Sequence, residues 1–418
     1  MSVDGEGKPL EPGEPDDGSH TRGLLRRRDF AIYWWSGIIS SPGNWVHNVS
    51  ASVLMLTLTG SPLMVGVVNF AIFIPTLLFS LPAGSLGDRV EKRRLVASAQ
   101  SAAALVAGSL AVLSATGRLT PALLVAVCFL LGTANALGKP ALVAMIPLLV
   151  PRPAIARATA LNVMQFQFGQ IAGPGLASVI LLLATPTWAF AINAFSCLGP
   201  IIAMRLIRLH EPREVAGDPK GAPSSTGAIA DGLRFIRRNP AMPAILVTVV
   251  LSNGAVEALR TLAPTIADSF HRPEAAGVVI MGYSVGALLG LISFSQIEKV
   301  LPKRWMLVTA FTLQAIGVCC VALAPNLALT VLGSAPIGIG FSLSTPLLSA
   351  ALQVLSPDAY RSRVMSVFSM AHLGLRPVFA LAAGALATVL SVPWALAGFA
   401  ALAAGAGVFA RRRRVAEV

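Results

Sequence analysis

Charge is what this chain has least of. Of its 418 residues only 12% are Asp, Glu, Lys or Arg, where a soluble globular protein carries about 25%. With 55% hydrophobic residues and a mean hydropathy of +0.73, a soluble fold is excluded and a polytopic membrane protein is indicated. Cysteine is scarce too. Cys128, Cys197, Cys319 and Cys320 all lie inside apolar runs, which excludes a disulfide framework and metal-ligand spacing. No apolar h-region occurs in residues 1–22, so no secretory signal is read there. No G-x-x-x-x-G-K-[ST] loop occurs, so ATP is not the evident energy source. No cofactor motif is present.

What is there is apolar length. Runs at 30–58, 63–86, 95–115, 121–149, 158–184, 187–207, 242–267, 275–298, 305–324, 327–354, 364–389 and 392–410 each approach or exceed the ~20 residues a bilayer crossing needs. Helices follow, because an unpaired backbone group in lipid is expensive and no barrel-like alternation is visible. The expected fold is all-α, with twelve spans in two related sets of six. Residues 1–23 read as a disordered tail, 24–207 as the first bundle, 208–241 as a linker, 242–410 as the second bundle and 411–418 as a basic tail.

The net charge of +13 is spread over loops and forms no nucleic-acid patch. Only Arg118 and Arg272 fall in loops of one face, and Lys139, Arg260 and Arg376 fall inside spans. The rest of the 32 Lys and Arg lie on the face that carries both termini, which the positive-inside rule assigns to the cytoplasm. A bacterial-type inner membrane is the expected location. Arg411–Arg414 can rest on anionic headgroups.

The most charged connection is Gly84-Ser-Leu-Gly-Asp88-Arg89-Val-Glu-Lys92-Arg93-Arg94, read as a tight turn between the second and third spans. It has an echo. Asp88-Arg89-Val90 recurs as Glu298-Lys299-Val300, and Pro151, Arg157 and Met164 recur as Pro357, Arg363 and Met370. Charge placement repeated at matching loops argues for a six-plus-six duplication, which is how many transporters are built.

At these residues the chain resembles the major facilitator superfamily. Gly84-x-Leu86-x-Asp88-Arg89-x-x-Lys92-Arg93 is similar to its loop signature, with Glu91 and Gly87 replacing a Gly and an Ala. Gly169-x-x-x-Gly173-Pro174-x-x-Ala177 is similar to the fifth-helix motif of its drug/proton antiporters, with the last Gly pair reduced to Ala177-Ser178. The run from Asn135 through Pro140 to Pro151-Arg152 resembles the enterobactin-exporter and macrolide-efflux group. The resemblance implies two bundles rocking about a cavity lined by the first, fourth, seventh and tenth helices. It implies a monomer, a small-molecule substrate and protons as coupling ion. It also implies that Asp88 latches onto the start of the eleventh helix, where Arg363 is its natural partner. It pairs Gly282, Gly286 and Gly290 of the eighth span with the fifth.

Ionisable side chains inside spans are functional candidates because insertion penalises them. His47, Lys139, Glu257, Arg260, His372 and Arg376 count to similar depth from their loops. Ser36, Ser40, Asn44, His47 and Asn48 share one helical face, as do Asn253, Glu257, Arg260 and Thr261, and Asn135 with Lys139. The tenth span offers only Ser342, Thr345, Ser349 and Gln353. Glu257 is the only acidic residue well inside any span, hence the expected proton carrier, with His47 and His372 as alternatives. A permanent ion pair with Arg260 or Lys139 is the competing reading. Arg376, just before Pro377, is expected either in the cavity or on carbonyls freed at a kink. The surplus of positive charge favours an anionic ligand. An importer of the same fold, or a membrane scaffold that transports nothing, is the rival to an exporter. No catalytic triad or metal cluster supports an enzyme.

Overall fold

Among the described residues the long helical elements are α1 (Arg28–Thr59), α2 (Pro62–Arg89), α3 (Lys92–Ala115), α4 (Pro121–Val143), α5 (Ile155–Leu183), α6 (Pro186–Ser196 and Leu198–Leu206), α7 (Ala241–Asp268), α8 (Ala276–Val300), α9 (Lys303–Leu323), α10 (Leu327–Leu355), α11 (Asp358–Leu373 and Arg376–Leu390) and α12 (Val392–Arg412), with a short helix at Ile146–Leu149 between α4 and α5. The computed structural model describes residues 23–207, 233–239, 241–413 and 415, without the side chains of 80–89, 152, 358–359 and 362. No strand occurs among the described residues. The N-terminal tail, most of the 208–241 linker and residues 416–418 lie outside the description.

Among the described residues, eleven spans are long and apolar enough to cross a membrane. The twelfth, α1, is 32 residues long but carries the Ser, Asn and His stripe noted above, which lowers its hydropathy. The side on which α1 begins, at Arg28, is here called the terminal face, and the side on which it ends, at Thr59, the far face. Thr120 and Asn326 begin α4 and α10 as side-chain N-caps, accepting from the N–H of Leu123 and Leu329. The expected turn at 84–94 is mostly helix: α2 runs through Arg89, leaving only Val90 and Glu91 between it and α3. The last part of the linker also departs from expectation. Residues 233–238 form a helical turn, with Ile236 buried and Phe235 stacked on Tyr360 of α11 at 4.6 Å.

Lipid is as apolar as leucine, so packing rather than burial holds such helices together, and small residues mark the close contacts. A Cβ on Gly282, Gly286 or Gly290 would strike α10 at Val331, Ala335 or Ile339. The expected partner, α5, is instead met by Gly277, which lies under the carbonyl of Pro174. Gly169 and Gly173 pack on Ser41 and Trp45 of α1. A carbon added at Gly66 of α2 would meet the Ala380 carbonyl of α11.

The buried core is divided unequally. Towards the far face one cluster joins both halves of the chain: Val46, Val49, Val53, Ala177 and Ala189 pack with residues of α7 to α12. Two hydrogen bonds cross there, from Leu63 N–H to Thr388 Oγ1 (3.0 Å) and from Val278 N–H to Ser178 Oγ (3.1 Å). Towards the terminal face the core splits. One cluster, from Leu24 to Ile207, draws only on the first half, and another, from Ile236 to Val415, only on the second. The helices are thus joined at the far end and packed as two separate groups at the terminal end.

Candidate functional site

Glu257 sits on α7 at the junction of the two halves, 2% exposed. Two guanidinium groups converge on one of its oxygens. Arg260, one turn on, donates from Nη1 to Oε1 at 3.3 Å, and Arg376 donates from Nε at 2.5 Å. Arg376 opens the second segment of α11, where Pro377 at its first turn ends the ladder of the first segment. It therefore reaches across to Glu257 and does not turn to freed carbonyls. The trio carries a net positive charge. Arg260 Nε and Arg376 Nη2 are both buried without a hydrogen-bond partner. An unpaired donor in such a place is rare and costly.

Both arginines also touch the first half. Arg376 lies over the ring of Phe73 on α2 at 4.3 Å, while Arg260 lies between Trp45 of α1 (5.1 Å) and Tyr283 of α8 (4.9 Å). Arg260 Nη2 donates to Gln170 Oε1 on α5 at 2.6 Å. Gln170 does more than accept that bond. Pro174, four residues later, has no N–H to give its carbonyl. Ser284 of α8 supplies the missing donor, its hydroxyl bonding that oxygen at 2.9 Å. One residue of α5 is therefore tied to the second half through backbone and side chain together. Sequence reasoning did not single out Gln170, although a glutamine four residues before the motif proline was the available signal. A small cavity of about 20 Å³ adjoins Arg260, lined among others by Asn48, Ser52, Asn69 and Phe73.

Other candidates are placed elsewhere. His47 is fully buried, 3.8 Å from Cys128 Sγ and edge-on to Phe190, both in the first half. It was expected on the cavity face of α1, but its position there turns it towards Cys128 of α4 and Phe190 of α6. Lys139 is exposed four residues before the end of α4, and the ion partners described for Glu257 are Arg260 and Arg376. Asn44 and Asn135 do meet, Asn135 Nδ2 lying 3.4 Å from Asn44 Oδ1. Asn253 approaches His372 Nδ1 at 3.5 Å, and His372 is stacked between Phe341 and Phe368. Gln314 bridges Ser252 and Ser344 in a buried polar contact wholly within the second half.

Of the gate residues, Gly84, Asp88 and Arg89 have side chains outside the description, so their approach to Arg363 is too. Arg363 lies over the Tyr360 ring at 5.4 Å. Arg93 donates to the Arg205 carbonyl at the end of α6, within its own half, and Glu298 and Lys299 are exposed at the end of α8. No group of three or more metal-ligating side chains occurs among the described residues.

The profile of a family described as transmembrane secretion effector matches residues 21–418. The chain is 25% identical over 401 residues to the multidrug efflux pump Tap of Mycolicibacterium fortuitum, covering 90% of this chain and 96% of the pump. It is 26% identical over 356 residues to the enterobactin exporter EntS of Citrobacter koseri, covering 82% and 79%. In structure it is similar to a bacterial homologue of the iron transporter ferroportin in an inward-facing state, with a TM-score of 0.70, 16% identity, and 92% and 98% of the two chains covered.

Proposed function

Because the chain belongs to the transmembrane secretion effector family of major facilitator transporters, and is a transporter rather than an enzyme, we propose that it exports a small organic molecule by alternating access. The observation that carries this reading is the Glu257–Arg260–Arg376 cluster, set where the halves meet and bonded to both. A buried charge cluster inside a membrane is costly unless used. The names of the relatives, an efflux pump and a siderophore exporter, support export over import.

Glu257 is the proposed proton carrier, and protons entering from outside drive the substrate out. A proton on Glu257 removes the carboxylate that holds the two arginines, which loosens the tie between α7, α11 and α5. The net positive charge and the two unpaired guanidinium N–H groups favour an anionic substrate. The basic loops support a terminal face in the cytoplasm of a bacterial inner membrane. On that assignment the two separate cores at the terminal face support an inward-open state. Asp88 is the proposed latch towards Arg363 when that end closes, the two six-helix sets move as bodies, and the protein works as a monomer.

Everted membrane vesicles with an acid interior test this. Carboxyfluorescein, an anion, is expected to accumulate in them, with accumulation lost on adding a protonophore and in Glu257→Gln. Accumulation that ignores the gradient contradicts proton coupling, and uptake only into right-side-out vesicles identifies an importer. Preference for ethidium, or unchanged carboxyfluorescein flux in Arg376→Ala and Lys139→Ala, overturns the anionic reading. A scaffold predicts silence from every variant.

A further inference from the structure

A short polar seam leads from the far face towards Glu257. On it lies the cavity of about 20 Å³ beside Arg260, walled by Asn48 and Ser52 of α1, Asn69 of α2, Pro264 of α7 and Ile280 of α8. Its depth follows from helical rise. Ser52 and Asn69 are about 10 Å in from the ends of α1 and α2 at the far face. Pro264 is about 6 Å in from the end of α7, and Glu257 about 16 Å in, so the cavity precedes the carboxylate. The polar wall is held in place by its own bonds. Asn69 Nδ2 donates to Ser52 Oγ at 2.9 Å and to the Val65 carbonyl at 3.0 Å, and Ser52 donates to the Asn48 carbonyl at 2.9 Å. A buried water needs ~10–15 Å³ and two to four polar partners, so this cavity has room and partners for one. Arg260 belongs both to the cavity wall and to the ion pairs of Glu257.

We propose that Arg260 is the barrier that keeps this hydrated seam from passing protons to Glu257 while the far end is joined. The role rests on the reading of Glu257 as proton carrier. A proton that bound Glu257 from the far face and left at the terminal face without substrate would dissipate the driving gradient. A fixed positive charge beside a narrow water path excludes hydronium, as arginine does in water-selective pores. The guanidinium keeps that charge at any working pH. Its position is set by Glu257 and Tyr283 of the second half and by Gln170 and Trp45 of the first. The barrier is therefore complete only when the halves meet, and parting them at the far end withdraws it. Besides the two arginines, Tyr283 and His372 are within electrostatic reach of Glu257. No second carboxylate lies well inside a span, so the seam leads to one acid.

Passive proton flux through the full-length protein in liposomes tests this. A valinomycin potassium potential, negative inside, drives protons inward with no substrate present, and entrapped pyranine reports the acidification. Arg260→Gln is expected to leak tenfold faster than the wild type or more. Arg260→Lys keeps the charge without the planar fork and is expected to restore the seal to within threefold of the wild type. Ser52→Asp leaves Arg260 in place and sets a carboxylate across the cavity from it. It is expected to leak threefold faster or more, and it decides the question should Arg260→Gln fail to fold. Equal leak from Arg260→Gln and Arg260→Lys would show that the contacts and not the charge make the seal, which overturns the proposal. So does wild-type tightness in folded Arg260→Gln or in Ser52→Asp. Adding Glu257→Gln to Arg260→Gln separates the two readings. A return to wild-type tightness supports both, whereas an undiminished leak retains the barrier and contradicts Glu257 as the carrier.

Discussion

The two ends of this molecule are built differently. At the far end α1 and α5 contribute to the same buried cluster as α7 to α12, and a glycine sits directly beneath a backbone carbonyl of the opposing half. At the terminal end two cores face each other without merging. Since lipid gives no hydrophobic drive between helices, association has to come from close packing and hydrogen bonds. The far end has both, whereas the buried cores described at the terminal end each draw on one half. The charge cluster lies between them, which places its arginines where the joined region gives way to the separated one.

The variant with the largest expected effect attacks the cluster itself. Glu257→Ala leaves two buried guanidinium groups without a counter-charge, and breaking such a set typically costs about 3–5 kcal/mol. The purified protein should melt at a much lower temperature, and a melting curve like the wild type's would show that the arginines find water instead. Next is Gly277→Val, whose side chain must push α5 away from α8. Overpacking of this kind costs about 1–3 kcal/mol, and here it falls on the joined end alone. Labelling of a cysteine placed at Ser178 should rise severalfold, whereas Gly398→Val, with open space around it, should change nothing.

Gln170 allows the comparison to be pushed both ways. Gln170→Ala removes a hydrogen bond to a charged partner, about 1.5–3 kcal/mol, and should favour opening of the far end. Gln170→Glu offers Arg260 a second carboxylate and should hold that end shut; identical labelling in the two variants would show that the residue bears no load in the closed state. The smallest effect belongs to Ser344→Ala. It weakens a polar contact confined to the second half, about 1 kcal/mol, so stability should fall slightly with no change in labelling at either end.

Much of this was legible in the sequence, for a physical reason: spans in lipid are long and apolar, and ionisable residues inside them stand out. Glu257 and Arg260 were legible as a pair because three residues make one helical turn. Arg376 was found, but its partner was not, since which way α11 turns after Gly374–Leu375 depends on tertiary packing. His47 shows the same limit. A face on one helix can be counted from spacing, but whether it meets the cavity or a neighbouring helix depends on rotation set by contacts such as Gly173 against Trp45. The glycine repeat in α8 was read correctly as a close-packing seam and assigned to the wrong neighbour. The turn at 84–94 misled because charged residues continue α2 as well as they break it.

Cross-linking the two ends in one background tests the unequal joining most directly. With the four native cysteines replaced by alanine, cysteines at Leu63 and Thr388 probe the far end of α2 and α11, and cysteines at Thr159 and Val300 probe the terminal ends of α5 and α8. Without substrate, the first pair should oxidise to a disulfide rapidly and the second should remain reduced. Rapid cross-linking of the Thr159–Val300 pair alongside a reduced Leu63–Thr388 pair would contradict the account.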